Sequence, residues 1–288
     1  MMKGTVLRRL PVILPPYADE LLSSWISRHA TFYAVPPLVM LRHCLPETPS
    51  LRAADLHLSD DQAVFLATMF RMDPDIVGGM TFCNVSRSSR RLIAARPVQF
   101  CIDCRHEAVE PKSILRSQLQ GWRITCPHCG TWLRGLGDDE LPSPFRQYHR
   151  AALRGEKLLD NEAWRSGKSW ASPAEIVRLL LMRRVPLPPP PEMELWRFRV
   201  LGSIIPELDD TLAAGSCSFP TPQNPVVPLH LRPALLAGVA IVHGAGAEML
   251  YMLRRHTFGL HRKRFDREAL PFFVNASHRR HSTQMQLI

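Results

Sequence analysis

Cys101-Ile102-Asp103-Cys104 and Cys126-Pro127-His128-Cys129, two CxxC pairs separated by 21 residues, decide how this sequence is to be read. Two residues between thiols let each pair wrap a tight knuckle around one ion, and the intervening hairpin brings the knuckles together. Four thiolates complete a tetrahedral shell, the ligand set of a structural zinc ion in a zinc ribbon. A catalytic zinc keeps one position open for water. A closed set of Cys101, Cys104, Cys126 and Cys129 therefore predicts one structural Zn2+ and scaffolding instead of hydrolysis. His128 is a competing ligand by type, although between two binding cysteines it lies on the knuckle loop. A redox dithiol is the other use of a CxxC, but no βαβ pattern surrounds these pairs.

The other three cysteines, Cys44, Cys83 and Cys217, stand apart, and an odd total of seven suits metal binding in a reducing cytosol better than a disulfide framework. Met1–Pro16 lacks a long apolar region with a small-residue cleavage site, so no export signal is read there. Pro233–Leu253 is apolar but is interrupted by His243, Glu248 and three glycines, which suits a buried helix better than a membrane span. A cytoplasmic protein is expected.

Outward from the knuckles, Val98-Gln99-Phe100 and Trp122-Arg123-Ile124 are strand-like runs leading into the two cysteine pairs, giving a ribbon over about 96–136. The preceding part, about 1–95, reads as helical. Between Asp19 and Tyr33, helical spacing puts Leu22, Trp25, Ile26, His29 and Tyr33 on one face, with Ser23, Ser24, Ser27 and Arg28 elsewhere. Ser59 with Gln62 forms a capping box before Ala63–Phe70, and a short helix is expected from Asp73-Pro74 to Gly78-Gly79. The two form a helix-turn-helix-like pair or simply two packed helices.

Residues 151–288 read as a helical C-terminal part. Ser172, Pro173 and Glu175 start a helix whose apolar face is Ile176–Met182. A polyproline connector is expected at 186–191. Pro233–His243 and Ala245–His256 read as two helices joined at the glycines, followed by a basic tail. The fold class is therefore mainly α with a small β zinc ribbon.

The chain has 288 residues, with 36 Lys and Arg against 26 Asp and Glu, a net charge of +10. Such a balance favours a polyanionic partner through counterion release. Arg87, Arg90, Arg91 and Arg96 form one basic cluster and Arg183-Arg184 another. A third runs from Arg254-Arg255 through Arg262-Lys263-Arg264 to Arg279-Arg280. Arg254, Arg255, Arg262, Lys263 and Arg264 are the candidate nucleic-acid contacts. Solvated helix ends account for such clusters equally well, and Arg254 and Arg255 suit a helix C-terminus. There is no Gly-rich phosphate loop, HExxH or GxSxG. Asp60-Asp61, Asp138-Asp139 and Asp209-Asp210 read as caps and turns, which gives a nuclease no convergent carboxylates.

Asp19-Glu20-Leu21-Leu22-Ser23-Ser24-Trp25-Ile26-Ser27-Arg28 resembles the Glu-Ser-Leu-x-Ser-Trp-x-x-Arg signature of the TniQ family. Leu66-Ala67 through Met80-Thr81-Phe82 resembles that family's helical stretch ending in Met-Thr. Phe100–Cys104, Trp122 and Cys126–Leu133 resemble its zinc knuckles, so the resemblance spans roughly residues 8–150. Many members carry histidine where this chain has Cys129, and zinc accepts either. Leucine stands where the signature has its first serine.

The resemblance implies a non-catalytic transposition accessory protein that helps to choose the insertion site. Such a protein links a target-recognition element to the transposon's AAA+ ATPase. Some members sit on a CRISPR effector, sometimes as homodimers, and others engage target DNA directly. The expected partners are thus DNA, the ATPase and a target-recognition complex, with no membrane, in a bacterial cytoplasm at the nucleoid. The competing reading is a freestanding zinc-ribbon DNA-binding regulator.

Overall fold

Asp19 adopts a left-handed backbone, with φ of 61°, and this turn delays the first helix, α1, to Leu22–Phe32. An aspartate tolerates that conformation better than most side chains. Its carboxylate accepts bonds from the Ser117 amide at 2.9 Å and from Arg116 Nε at 3.0 Å, pinning the N-terminal segment to the loop after the first knuckle. Leu22, Trp25, Ile26 and His29 are buried as expected, but so are Ser24 and Arg28, which were assigned outside the apolar face. The cause is Glu20, itself buried. Its two carboxylate oxygens receive Arg28 Nε at 2.8 Å and Nη2 at 2.6 Å, and Ser24 Oγ at 3.1 Å. Arg28 also donates to Pro15 O at 2.7 Å and lies 4.0 Å from the centre of the Tyr17 ring. The polar residues of the motif form one satisfied buried network, in which Trp25 Nε1 reaches Leu14 O at 2.8 Å.

The structure, a computed structural model, describes residues 10–105, 113–136, 143–165, 169–185, 198–214 and 220–285. After α1 come α2 (Pro37–Cys44), α3 (Leu51–His57), α4 (Asp60–Phe70) and α5 (Pro74–Gly79). The Ser59–Gln62 capping box forms, and Asp73 caps α5 through the Asp75 amide at 2.8 Å. The α4–α5 pair exists, its second helix only six residues long. These helices enclose their own core around Trp25, Ile26, Leu41, Leu66 and Phe70.

A second, larger core runs from Phe82 and Trp122 through α7 (His149–Arg165), α8 (Pro173–Leu180), α9 (Glu207–Ala214) and α10 (Arg232–Ala245) to α12 (Gly259–Met285). Helix α7 therefore runs across the division at residue 150. The α7–α10 crossing is close: a Cβ on Gly155 would lie 2.0 Å from Leu236 O. Ser172 caps α8 through the Glu175 amide, as its capping signal predicts. Gly246, at φ of 73°, breaks α10 from α11 (Ala247–Arg255), and the two diverge by 119°. Among the described residues no single helix is long and apolar enough to cross a membrane. The expected polyproline connector at 186–191 lies outside the described residues. The stretch read as a basic tail is helical from Gly259, because Phe265, Ala269 and Phe272 recur at helical spacing and are buried.

Candidate metal centre

Two short strands, β1 (Gln99–Phe100) and β2 (Arg134–Gly135), pair antiparallel with Gln99 opposite Gly135 and Phe100 opposite Arg134. Cys101 follows β1 directly. A single helical turn, α6 (Ile102–Arg105), then carries Cys104. The second knuckle closes through Cys126 N to Thr131 O at 2.8 Å and Gly130 N to Cys126 O at 3.0 Å. Gly130 makes this turn at φ of 76°, a conformation that favours glycine. Thr131 Oγ1 donates to Asp103 Oδ2 at 2.5 Å and so ties one knuckle to the other.

The strand partner differs from expectation. Trp122-Arg123-Ile124 is not a strand, and β2 comes after the second knuckle. The Thr125–Trp132 bridge and a bond from Leu133 N to Ile124 O at 2.9 Å pair this approach with the residues that lead into β2. The amides of Ile124 and Thr125 turn instead to the Glu156 carboxylate on α7, at 3.2 Å each. Trp122 and Ile124 point into the large core.

The four sulfurs converge. Cys101 Sγ lies 3.4 Å from Cys129 Sγ, and Cys104 Sγ lies 3.7 Å from both Cys126 Sγ and Cys129 Sγ. All four fall within 4.8 Å of one another, and no disulfide joins them. A tetrahedron with metal–sulfur bonds of about 2.3 Å has edges of about 3.8 Å, so the spacing fits one ion held by four thiolates. His128 is exposed and is not one of the converging ligands. The Thr131 side chain and amide favour thiolate at Cys129, lowering its pKa to about 6, whereas burial raises those of Cys101 and Cys104.

The shell is held from α7 and α10. Glu156 also accepts from Thr125 Oγ1 at 3.0 Å, and burial shifts its pKa upward against these bonds. Asp160 accepts from Trp122 Nε1 at 2.7 Å and Arg123 Nη2 at 3.0 Å. Arg123 is thus committed to Asp160 and to Glu156, 3.8 Å away. Arg232 is completely buried, with its pKa pushed down to about 9 by desolvation. It donates to Val227 O, Gln99 Oε1 and Arg123 O, bracing β1 against the approach to the second knuckle. Neither Glu156 nor Arg232 was singled out in the sequence; the apolar period of α7, with Ala152, Leu159 and Ala163 buried, is the signal that could have placed Glu156 inward.

The basic clusters separate. Arg254 forms a two-pronged ion pair with Asp266, at 2.5 and 2.9 Å, while Arg255 ends α11. Arg262, Lys263 and Arg264 sit on the first turns of α12, and Lys263 and Arg264 are exposed. Side chains at Arg279 and Arg280 lie outside the described residues. Arg184 is buried, donates to Arg199 O at 2.9 Å and pairs with Asp209, so only Arg183 of that pair faces outward. Arg90 is spent on the carbonyls of Val85 and Cys83, leaving Arg87, Arg91 and Arg96 exposed.

Residues 11–151 match the family model TniQ. Comparison with curated proteins and comparison with solved structures each found no match.

Proposed function

The chain belongs to the TniQ family through residues 11–151, and on that premise we propose that this transposition accessory protein is a non-catalytic adaptor. It links recognition of a target site, on DNA or on a guide complex, to the transposon's AAA+ ATPase, and it does so in the cytoplasm at the nucleoid. The observation that carries this reading is the four-sulfur shell, whose spacing leaves no ligand position for water.

The ion that suits such a shell is zinc, held by Cys101, Cys104, Cys126 and Cys129. It supplies folding energy and no reaction: zinc binding in small domains is worth about 10 to 16 kcal/mol. The residues around it do the positioning. Glu156 and Asp160 fix the approach to the second knuckle, Asp103 joins the knuckles, and the Glu20–Arg28 network anchors the N-terminal helices. The result is a rigid platform with a basic surface.

The test is a pull-down of the full chain with the ATPase encoded beside it, with and without DNA. Association in either condition is expected, and absence of association in both would overturn the adaptor role. Elemental analysis of the purified chain checks the metal, with one zinc per chain expected. If the first turns of α12 contact DNA, neutralising Arg262 and Lys263 lowers both affinity and its salt dependence.

A further inference from the structure

Helix α7 carries cations and acids along its length, and packing sorts them by sign. Its acids turn toward the protein. Glu156 and Asp160 hold the approach to the second knuckle, and Glu162 accepts from Ser88 Oγ at 2.9 Å and from the Ala174 amide at 2.8 Å. Arg150, Arg154, Lys157 and Arg165 are all exposed. Ala152, Gly155, Leu159 and Ala163 mark the buried side, so helical spacing sets the cations in one stripe on the opposite side, shared with Leu153 and Asn161. At a rise of 1.5 Å per residue the stripe extends about 22 Å from Arg150 to Arg165.

A solvated helix face gains stability from acids placed one turn from its cations. Here no ion pair joins Arg150, Arg154 or Lys157 to an acid among the described residues. The first turn of α7 holds Arg150 and no acid, and the exposed Arg146 stands in the short turn before it. Cations there oppose the positive end of the helix dipole, a cost that a bound anion removes. At the head of the stripe Trp132 is 39% exposed, its ring 4.4 Å from that of His149 and tilted by 31°. Its backbone bridges to Thr125, beside the four-cysteine cluster, so the second knuckle holds the indole in place. Arg134, two residues on, is exposed as well.

A duplex presents one phosphate charge per about 1.7 Å of its axis, so a stripe of this length meets an anion at every cation. Arginine matches phosphate oxygens with its planar fork, and the apolar surfaces of Trp132 and Leu153 suit the sugars between phosphates. We propose that the outer face of α7, from Trp132 at its head to Arg165, is a contact surface for the backbone of duplex DNA. The choice of DNA rests on the reading of the chain as a DNA-contacting transposition protein; the sorting of charge on α7 does not.

The full chain is compared with Arg150→Gln/Arg154→Gln/Lys157→Gln and with Arg42→Gln/Arg87→Gln/Arg96→Gln, an equal charge loss at exposed positions elsewhere. Glutamine leaves the helix propensity of α7 nearly unchanged, and melting temperature and metal content check that each variant folds. Binding to a fluorescein-labelled duplex is followed by anisotropy across a salt series. The α7 variant is expected to lose about tenfold or more in affinity and to lower the salt slope by about two to three. The control is expected to lose far less and to keep the parental slope. Equal losses in the two variants, or a parental slope in the α7 variant, would overturn the proposal. A chain that binds no duplex even at low salt would overturn it too, and the adaptor reading would then stand or fall on the ATPase pull-down. Association with the ATPase together with parental DNA binding by the α7 variant would remove this surface alone.

Discussion

Glu156 meets Thr125 at three points: the Thr125 amide at 3.2 Å, and its hydroxyl at 3.0 Å from each carboxylate oxygen. Thr125 directly precedes Cys126 of the four-cysteine cluster. A helix of the large core therefore governs the geometry of the four-sulfur cluster without supplying a sulfur.

Glu156→Ala leaves the buried amides of Ile124 and Thr125 without their acceptor, at a cost of about 3 kcal/mol. The urea midpoint should fall, and transfer of metal to a chromogenic chelator should become faster than in the parent. Glu156→Gln, which retains one carbonyl oxygen, should lie between the two. Parental release kinetics in Glu156→Ala would mean that the clamp does not reach the metal.

Cys101→Ser and Cys126→Ser each open a four-sulfur shell, and both should purify with little or no metal and with a protease-sensitive ribbon. The helical core of α1 to α5 packs separately and should keep its resistance. Full metal occupancy in both variants would show that other groups hold the ion.

Asp55 on α3 is 2% exposed, and burial raises its pKa from 3.8 to about 6 despite the bond from the Ser23 amide at 2.9 Å. In that window the folded chain keeps a proton that the unfolded chain has released, so stability contributed at low pH is lost as pH rises through 6. The loss is about 3 kcal/mol. Asp55→Asn keeps the acceptor oxygen and removes the titration. Denaturant titrations at pH 4 and pH 7 should show the variant gaining on the parent by roughly that amount; a difference independent of pH would refute the assignment.

Gly155→Ala would improve intrinsic helix propensity by about 1 kcal/mol, but the new methyl would meet the Leu236 carbonyl at 2.0 Å. Backbone cannot yield as a side-chain tip can, and overpacking of this kind costs about 1–3 kcal/mol or more. The melting temperature should drop by several degrees. An unchanged or higher value would mean that α7 and α10 cross less closely.

The convergence of the four cysteines was legible because its information is local: two tight pairs at ribbon spacing admit few other geometries. The same locality identified the caps at Ser59 and Ser172. The ribbon's second strand was misplaced because Trp122, Arg123 and Ile124 favour strands by residue type, and their hydrogen-bond fate is set by Glu156, some thirty positions later. Arg28 and Ser24 were put outside the apolar face because periodicity counts only apolar side chains; a buried Glu20 that draws them inward is invisible to it. The basic stretch after Arg254 looked like a tail, although Phe265, Ala269 and Phe272 already carried a helical period.

The family match stops at residue 151, two positions into α7, whereas Glu156 and Asp160 lie just beyond it. A fragment trimmed at that limit would part the second knuckle from the acceptors of its amides and strip the Trp122 indole of its partner. The stretch recognisable by kinship is thus smaller than the piece that can stand alone. A graft of this region into another member of the family would have to carry α7 and the α10 surface it rests on, or the four-cysteine loop would arrive without its foundation.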